Sequence, residues 1–306
     1  MGKVAFVFAG QGAQYSGMGA DIAEVSAAAK KVFEAADALR PGTSKQCFSG
    51  TEAELKETIN TQPCMFAVEA ATAAALEEKG IQADVAAGFS LGEVVALTYA
   101  KMLDFEAGFN LVCRRAELMQ EAAEASDETG MVAVLKLSPE QVEELCKGIP
   151  NVYPVNYNHP TQIVVAGAAD KLADLSAAVK EAGGLPITLK VKAAFHSPYM
   201  ASASEKFRAE TAKYNFADPA IPLYSNKTAT FYGENRQELL AEQIASPVRW
   251  EMIVRDMIAQ GVDTFVEIGP GNVLCGLINE TDPSVKTYPV SNKEDFEKVC
   301  KELAAC

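Results

Sequence analysis

Short apolar runs alternate with long alanine-rich stretches in the first part of the chain, and a similar alternation returns near its end. Apolar runs of strand length occur at residues 3–9, 84–89 and 264–268. Helical periodicity follows at residues 66–79, 91–100 and 105–125. Strands that alternate with helices favour a parallel sheet covered by helices on both faces, so the pattern predicts an α/β fold.

The middle of the chain has a different pattern. Strand-like runs occupy residues 131–137, 153–156, 162–166 and 185–191. One predicted helix starts at Ser138, with Pro139 at its first position and Gln141 positioned to complete a capping box. A second, at 170–182, ends at Gly183-Gly184. The order β-α-β-β-α-β is ferredoxin-like. We therefore predict a small domain at 128–196, inserted after a polar boundary at 126–130 into a larger domain of residues 1–127 and 197–306.

Composition and charge exclude several classes of protein. The 306 residues carry 27 Lys+Arg and 41 Asp+Glu, a net charge of −14 without a basic block, which disfavours nucleic acid and anionic membrane surfaces as partners. No apolar run reaches the roughly 20 residues of a membrane span. The seven cysteines are odd in number and include no C-x-x-C pair, which disfavours a metal site or disulfide framework. We expect a cytoplasmic protein with reduced thiols.

The segment Gly88-Phe89-Ser90-Leu91-Gly92 matches G-x-S-x-G and lies between a predicted strand and a predicted helix. This is the context of a nucleophile elbow, in which glycines allow a turn too tight for side chains. Ser90 would then stand at a helix N-terminus, where free N–H groups favour a developing negative charge. The alternative is an ordinary serine N-cap after a glycine turn.

A nucleophilic serine needs a base, and the chain has two histidines. His159 precedes Pro160 in a predicted turn of the small domain. His196 lies where the chain re-enters the large domain, and such junctions form clefts, so we favour His196. No obvious Asp-containing loop supplies a third member, so a backbone carbonyl could orient the imidazole.

Two further features have both a chemical and a structural interpretation. Residues 9–14 form a Gly-rich loop after the first strand, but Tyr15 replaces the third glycine of a dinucleotide motif. The loop could supply a backbone N–H to an oxyanion, or it could be a tight turn only. In the helix at 105–125, one of Arg114 and Arg115 could face inward and bind a carboxylate, or the pair could be solvated.

These motifs together resemble the malonyl-CoA:acyl carrier protein transacylase family over essentially the whole chain. The resemblance rests on Gly10-Gln11-Gly12-Ala13-Gln14, the Ser90 elbow followed by Glu93, Arg115-Ala116-Glu117-Leu118-Met119-Gln120, Pro154-Val155-Asn156-Tyr157-Asn158, Phe195-His196-Ser197-Pro198, Ser246-Pro247-Val248-Arg249-Trp250 and Glu267-Ile268-Gly269-Pro270-Gly271. It implies an α/β-hydrolase-like parallel-sheet domain with an inserted ferredoxin-like subdomain.

The resemblance also implies roles for particular residues. The nucleophile and base would be Ser90 and His196, and the oxyanion hole the N–H groups of Gln11 and Leu91. The main-chain carbonyl of Gln243 would orient the base, and Arg115 would pair with the malonyl carboxylate. The weaker substrate-site candidates are Asn156, Asn158, Phe195 and Met119, and a phenylalanine directly before the base goes with malonyl rather than methylmalonyl substrates. Phe89 departs from the family, which usually has histidine directly before the nucleophile.

The activity implied is transfer of a malonyl group from malonyl-CoA to acyl carrier protein for fatty acid synthesis, without a metal or other cofactor. The alternatives are a serine hydrolase or thioesterase, a trans-acting acyltransferase of a polyketide pathway, and a non-catalytic docking subunit. The sequence requires no state beyond a monomer. Because such carriers are acidic like this chain, we expect docking to use a local basic patch, with Lys190 and Lys192 as candidates.

Overall fold

The computed structural model describes residues 2–126, 128–191 and 193–303. Its strands are β1 (Lys3–Phe8), β2 (Val85–Gly88), β3 (Thr129–Leu135), β4 (Val152–His159), β5 (Gln162–Ala168), β6 (Leu185–Thr188), β7 (Val262–Ile268) and β8 (Lys286–Val290). Its helices are α1 (Ala20–Val25), α2 (Ala27–Leu39), α3 (Thr43–Ser49), α4 (Glu52–Lys56), α5 (Thr58–Glu78), α6 (Leu91–Tyr99), α7 (Phe105–Glu124), α8 (Pro139–Lys147), α9 (Ala169–Glu181), α10 (Ala201–Thr211), α11 (Arg236–Gln243), α12 (Trp250–Ala259), α13 (Val273–Thr281) and α14 (Lys293–Leu303).

The larger sheet has the order β2-β1-β7-β8, and its neighbouring strands are parallel. Successive side chains of β1 point to opposite faces. Phe6 and Phe8 join the core cluster that includes α5, α6 and α7, whereas Ala5 and Val7 pack with α12 and α13. Helices therefore cover the sheet on both faces, as predicted, and the parallel α/β fold is confirmed.

The smaller sheet has the order β4-β5-β3-β6, and its described pairs are antiparallel. Helices α8 and α9 cover one face, which matches the ferredoxin-like topology. The predicted capping box at the start of α8 is present, because the Ser138 hydroxyl accepts from Gln141 N at 3.3 Å and Gln141 Oε1 accepts from Ser138 N at 2.9 Å.

Several element boundaries differ from the predicted ones. Helix α5 starts at Thr58 rather than at residue 66, because its first two turns include Pro63 and polar side chains that hide the apolar period. Strand β4 continues to His159 through the predicted turn, whereas β6 ends at Thr188 rather than at residue 191. The domain boundaries stay a prediction, and Asp127 at the first of them lies outside the described residues.

No helix in the described residues is long and apolar enough to cross a bilayer.

Candidate active site

Ser90 occupies a tight turn between β2 and α6, with φ 55° and ψ −107°. A Cβ atom added at Gly88 would lie 1.9 Å from the carbonyl carbon of Gly92. A Cβ atom added at Gly92 would lie 2.3 Å from the carbonyl oxygen of Phe8, at the end of β1. Only glycine fits either position, so the two glycines of the motif place α6 directly against the sheet. Ser90 adopts the strained backbone that a nucleophile elbow requires.

Side chains from distant segments satisfy both backbone polar groups of Ser90. Its N–H donates to Asn226 Oδ1 at 2.8 Å, and its carbonyl accepts from Gln243 Nε2 at 2.7 Å. Asn226 also donates from Nδ2 to the Gly88 carbonyl at 2.6 Å. The elbow is therefore held on both sides of Ser90 by amide side chains.

His196 is the histidine that contacts Ser90. Its Nε2 lies 2.7 Å from Ser90 Oγ, and its Nδ1 lies 3.0 Å from the Gln243 carbonyl and 3.2 Å from the Ser246 carbonyl. Because carbonyls only accept, Nδ1 carries the proton and Nε2 is free to accept one. Burial, with a further effect of the Arg115 cation, lowers the pKa of His196 to about 4. The imidazole is therefore neutral at pH 7, as a general base must be.

His159 lies elsewhere. Its Nδ1 accepts from Thr161 N at 3.4 Å, in the turn that follows β4. Burial lowers its pKa, while the carboxylates of Glu280 and Glu251 act in the opposite sense. These acids belong to α13 and α12, so His159 faces those helices.

The guanidinium of Arg115 is fully buried beside Ser90. Nη1 donates to Gln62 Oε1 at 2.8 Å, and Nη2 donates to Gln243 Oε1 at 2.8 Å and to Ser90 Oγ at 3.1 Å. Its Nε has no partner among the described residues. Burial lowers the pKa of Arg115 to about 10, which leaves the group cationic at neutral pH. The site therefore holds a buried cation whose Nε–H group is available to an additional acceptor.

Arg114 points away from this site. It forms ion pairs with Glu117 at 2.7 Å and with Glu210 at 3.6 Å, and its side chain is 37% exposed. Of the adjacent pair, Arg115 is thus the inward residue.

The two expected oxyanion donors lie on neighbouring segments, one at the start of a helix and one on a loop. Leu91 is the first residue of α6, where a backbone N–H has no acceptor within the helix. Gln11 follows β1, and that loop touches the elbow, since a Cβ atom added at Gly10 would lie 2.9 Å from Cδ1 of Phe89. Phe89 N donates to the Phe8 carbonyl at 2.9 Å. An oxyanion hole formed by Gln11 and Leu91 stays a prediction.

The weaker candidates fall into two groups. Met119 accepts through Sδ from Gln62 Nε2 at 3.4 Å, so it contacts the side chain that binds Arg115. Phe195 precedes the base and packs against both the main core and the cluster on the second face of the small sheet. Asn156 and Asn158 lie on β4, each with a buried Oδ1 that has no partner in the described chain. No hydrogen bond described joins either asparagine to Ser90.

Of three other positions that the sequence analysis named, the structure describes two. Phe89, where the resembling family has histidine, packs edge-on against Trp250 with ring centroids 5.5 Å apart. Lys190 is exposed and acts electrostatically on Glu52 of α4. Lys192 lies outside the described residues.

Sequence reasoning missed the side chains that support the site. Gln62 fixes Arg115, and Asn226 fixes Ser90. Glu93 appeared only as part of a motif, yet its buried carboxylate accepts from Asn226 N at 3.1 Å, from Gln243 Nε2 at 3.0 Å and from the Tyr232 hydroxyl. Each is a single polar residue without a periodic pattern, so the sequence carried no signal for its role.

Comparisons with known proteins identify the relatives of this chain. The model of the acyl transferase domain family matches residues 5–297. The malonyl CoA-acyl carrier protein transacylase of Bacillus subtilis is 38% identical over 99% of this chain and 98% of its own. The crystal structure of the malonyl CoA-acyl carrier protein transacylase from Clostridium perfringens superposes with a TM-score of 0.95, at 36% identity over 99% of this chain and 98% of that one. A similar chain also occurs in a structure of a type II PKS acyl-carrier protein in complex with its malonyl-transacylase. It superposes with a TM-score of 0.93, at 31% identity over 98% of this chain and 99% of that one.

Proposed function

Because the chain belongs to the acyl transferase domain family, we propose that it is an acyl carrier protein S-malonyltransferase, which moves a malonyl group from malonyl-CoA to the phosphopantetheine thiol of acyl carrier protein. The family resemblance read from the sequence is confirmed by the full-length relatives. The transfer proceeds through a malonyl ester on Ser90, in two half-reactions of the same kind.

In the first half-reaction, Ser90 Oγ attacks the thioester carbon while His196 Nε2 takes the hydroxyl proton. The hydrogen bonds from Nδ1 to two backbone carbonyls favour the imidazolium that forms. The carbonyl oxygen becomes an oxyanion held by the N–H groups of Gln11 and Leu91, each worth about 2.7–4 kcal/mol. The C–S bond then breaks, and the CoA sulfur leaves with the proton from His196.

The second half-reaction reverses these steps with a different thiol. His196 takes the proton of the carrier's phosphopantetheine thiol, and the sulfur attacks the malonyl ester. The tetrahedral intermediate collapses, and Ser90 regains its proton from the imidazolium. The residues named provide for all proton transfers, so we propose that no metal or redox cofactor takes part.

Arg115 is the observation that carries the malonyl assignment. A buried guanidinium with a free Nε, 3.1 Å from the nucleophilic oxygen through Nη2, suits a planar carboxylate one methylene away from the reacting carbonyl. An ionised carboxylate buried without such a partner would cost several kcal/mol. A general hydrolase has no need of this cation, which favours transfer of a carboxylated acyl group.

The identity of the carrier is a separate matter. The relatives named above include one transacylase bound to a type II PKS acyl-carrier protein. We propose fatty acid synthesis as the role of this chain, and a polyketide carrier as the second candidate that this likeness favours. Steady-state rates with purified fatty acid and polyketide carriers would separate the two.

Intact-protein mass spectrometry tests the proposal directly. After mixing with malonyl-CoA, the parent should gain one malonyl group on Ser90 and lose it when the phosphopantetheinylated carrier is added. Ser90→Ala should gain none, while Ser176→Ala, at a half-buried position of α9 in the small domain, should behave as the parent. Free malonate appearing as fast as CoA in the presence of carrier would indicate a hydrolase. A folded parent that never gains the group would support a docking subunit.

We also propose that the chain divides into two domains at 127/128 and 196/197. We further propose that the protein is cytoplasmic and monomeric.

A further inference from the structure

Glu93 lies one turn after the nucleophile on α6 and is fully buried. Its Oε2 accepts from Asn226 N at 3.1 Å and Gln243 Nε2 at 3.0 Å, and its Oε1 accepts from the Tyr232 hydroxyl. A buried carboxylate is unfavourable unless hydrogen bonds compensate for lost water. The proposed mechanism gives this group no chemical step, so its burial beside the nucleophile needs another explanation.

The first explanation lies in Asn226. The backbone N–H of this residue binds Glu93, while its side chain binds Ser90 N and the Gly88 carbonyl. Glu93 thus fixes the backbone from which Asn226 reaches the elbow. A serine at φ 55° keeps that conformation only while its surroundings hold it there.

The second explanation lies in Gln243, whose amide has two possible orientations. Its Oε1 accepts from Arg115, and its Nε2 donates to Glu93 and to the Ser90 carbonyl. If the amide were flipped, its NH₂ would face the guanidinium donors and its oxygen would face the carboxylate. The acceptors on Glu93 and on the Ser90 carbonyl therefore both select the orientation that serves Arg115. The same residue's main-chain carbonyl orients His196.

We propose that Glu93 is a positioning residue for acyl transfer, which acts through Asn226 and Gln243 to hold Ser90, His196 and Arg115 in their reactive arrangement. The proposal rests on the proposed function where malonyl-CoA is used to measure it. It does not depend on malonyl-CoA for its effect on Ser90, which a general serine reagent also detects.

Three substitutions of Glu93 separate the effects of its charge, its hydrogen-bonding shape and its side-chain length. Glu93→Gln keeps an oxygen for Asn226 N and Gln243 Nε2, and the Tyr232 hydroxyl can turn to accept from the new NH₂ group. Glu93→Asp keeps the charge but withdraws it by one methylene. Glu93→Ala removes every contact. Tyr232→Phe is the matched control, because it removes one partner of the same carboxylate and leaves Asn226 and Gln243 bound.

Rates with malonyl-CoA and carrier give the first readout. A misplacement of about 1 Å can cost about 100-fold in rate, so we expect Glu93→Ala to lower kcat by about that factor and Glu93→Asp by at least about tenfold. We expect the kcat of Glu93→Gln to stay within about tenfold of the parental value, and that of Tyr232→Phe within about threefold. In both variants Asn226 and Gln243 keep an acceptor at position 93. Folded Glu93→Ala or Glu93→Asp protein with parental kcat would overturn the proposal. Should Glu93→Ala fail to fold, Glu93→Asp carries the test.

Labelling of Ser90 by a fluorophosphonate gives the second readout, without any acyl-CoA. The labelling rates should follow the same order as kcat. If the parent transferred no malonyl group but the order of labelling held, the proposed function would fail while the positioning role stood. Labelling of folded Glu93→Ala at the parental rate would refute the positioning role, whatever the substrate.

A double-mutant comparison tests the route of the effect. Because Glu93 acts partly through Asn226, the losses from Glu93→Ala and Asn226→Ala should combine to less than their product. Losses that multiply fully in the folded double variant would show that the two residues act independently, against the proposal.

Discussion

Nη2 of Arg115 donates to the hydroxyl of Ser90 across 3.1 Å, so one buried cation contacts the proposed nucleophile directly. The distance between the two groups is suited to an acyl group that carries its own carboxylate close to the reacting carbonyl. In a malonyl group, one methylene separates the carboxylate from the reacting carbonyl. In the proposed function, this one hydrogen bond joins the residue that selects the acyl group to the residue that attacks it.

The first prediction concerns this cation. Arg115→Ala should sharply reduce malonyl transfer, because a malonyl carboxylate would be buried without a partner. Acetyl transfer should be unharmed or improved, since acetyl has no carboxylate. Arg115→Lys should recover only part of the malonyl activity, because an ammonium lacks the planar two-point contact. The measurement is kcat/KM for malonyl-CoA and acetyl-CoA in each protein.

Arg114→Ala is the matched control for that experiment. Its ion pairs are on the surface and weakly stabilising, so both substrates should react as in the parent. An equal loss of malonyl and acetyl transfer in Arg115→Ala would assign Arg115 a structural role instead.

The second prediction concerns the pH dependence of the reaction. Burial and Arg115 hold the pKa of His196 at about 4, below its usual 6.5. His196 therefore stays neutral, and able to accept a proton, until the pH falls towards 4. The acid limb of kcat/KM for malonyl-CoA should lie near pH 4, and a profile from pH 3.5 to 8 would reveal it.

His159→Ala provides the comparison, since His159 faces α12 and α13. It should keep the parental profile, whereas His196→Ala should lose about as much activity as Ser90→Ala, because the nucleophile and base act as a unit. An acid limb near pH 6.5, or a larger loss in His159→Ala, would contradict the assignment of the base.

The third prediction concerns stability. Burial raises the pKa of Glu93 to about 7 from 4.5, against the effect of its hydrogen bonds. The folded state then binds more protons than the unfolded state between pH 4.5 and 7, so this group lowers stability as pH rises through that range. The difference between these two pKa values corresponds to about 3 kcal/mol.

His196 has the opposite sign, because its lowered pKa makes the folded state gain stability as pH rises from about 4 to 6.5. The two effects oppose each other in the parent. Glu93→Gln should therefore gain stability relative to the parent as pH rises from 4.5 to 7. Urea unfolding of both proteins at pH 5 and pH 7 measures this, and parallel pH dependences would contradict the raised pKa.

The fourth prediction concerns Phe195. Its partly buried ring directly precedes the base, where it would limit the room beside the α-carbon of a bound acyl group. Phe195→Ser should relax discrimination against methylmalonyl-CoA by about 1–3 kcal/mol. The ratio of kcat/KM for malonyl-CoA and methylmalonyl-CoA measures the effect, and an unchanged ratio would remove Phe195 from acyl selection.

The sequence was informative where structure follows from local rules. Gly88 and Gly92 identified the elbow because only glycine tolerates that turn, and the alternation of strand and helix identified the parallel sheet. Ser138 identified the start of α8 because a serine followed three residues later by Gln141 forms a capping box.

The supporting side chains could not be found in this way. Asn226 meets Ser90 across 136 positions and Gln62 meets Arg115 across 53, so no local pattern connects them. Apart from the resemblance, nothing in the sequence pointed to the Gln243 carbonyl, because every residue except the last has such a group. The inward orientation of Arg115 rather than Arg114 also depends on how α7 packs against α5 and α10.

The order of strands in the larger sheet has a consequence for biosynthesis. Strand β1 pairs with β7, so that Ala5 lies opposite Phe265, near the other end of the chain. The small sheet pairs wholly within residues 129–188 and can close much sooner. At about 5–20 residues per second, a ribosome needs several more seconds to reach β7. During that time the nascent chain exposes an apolar strand edge at β1, which is where chaperones and aggregation would compete with folding.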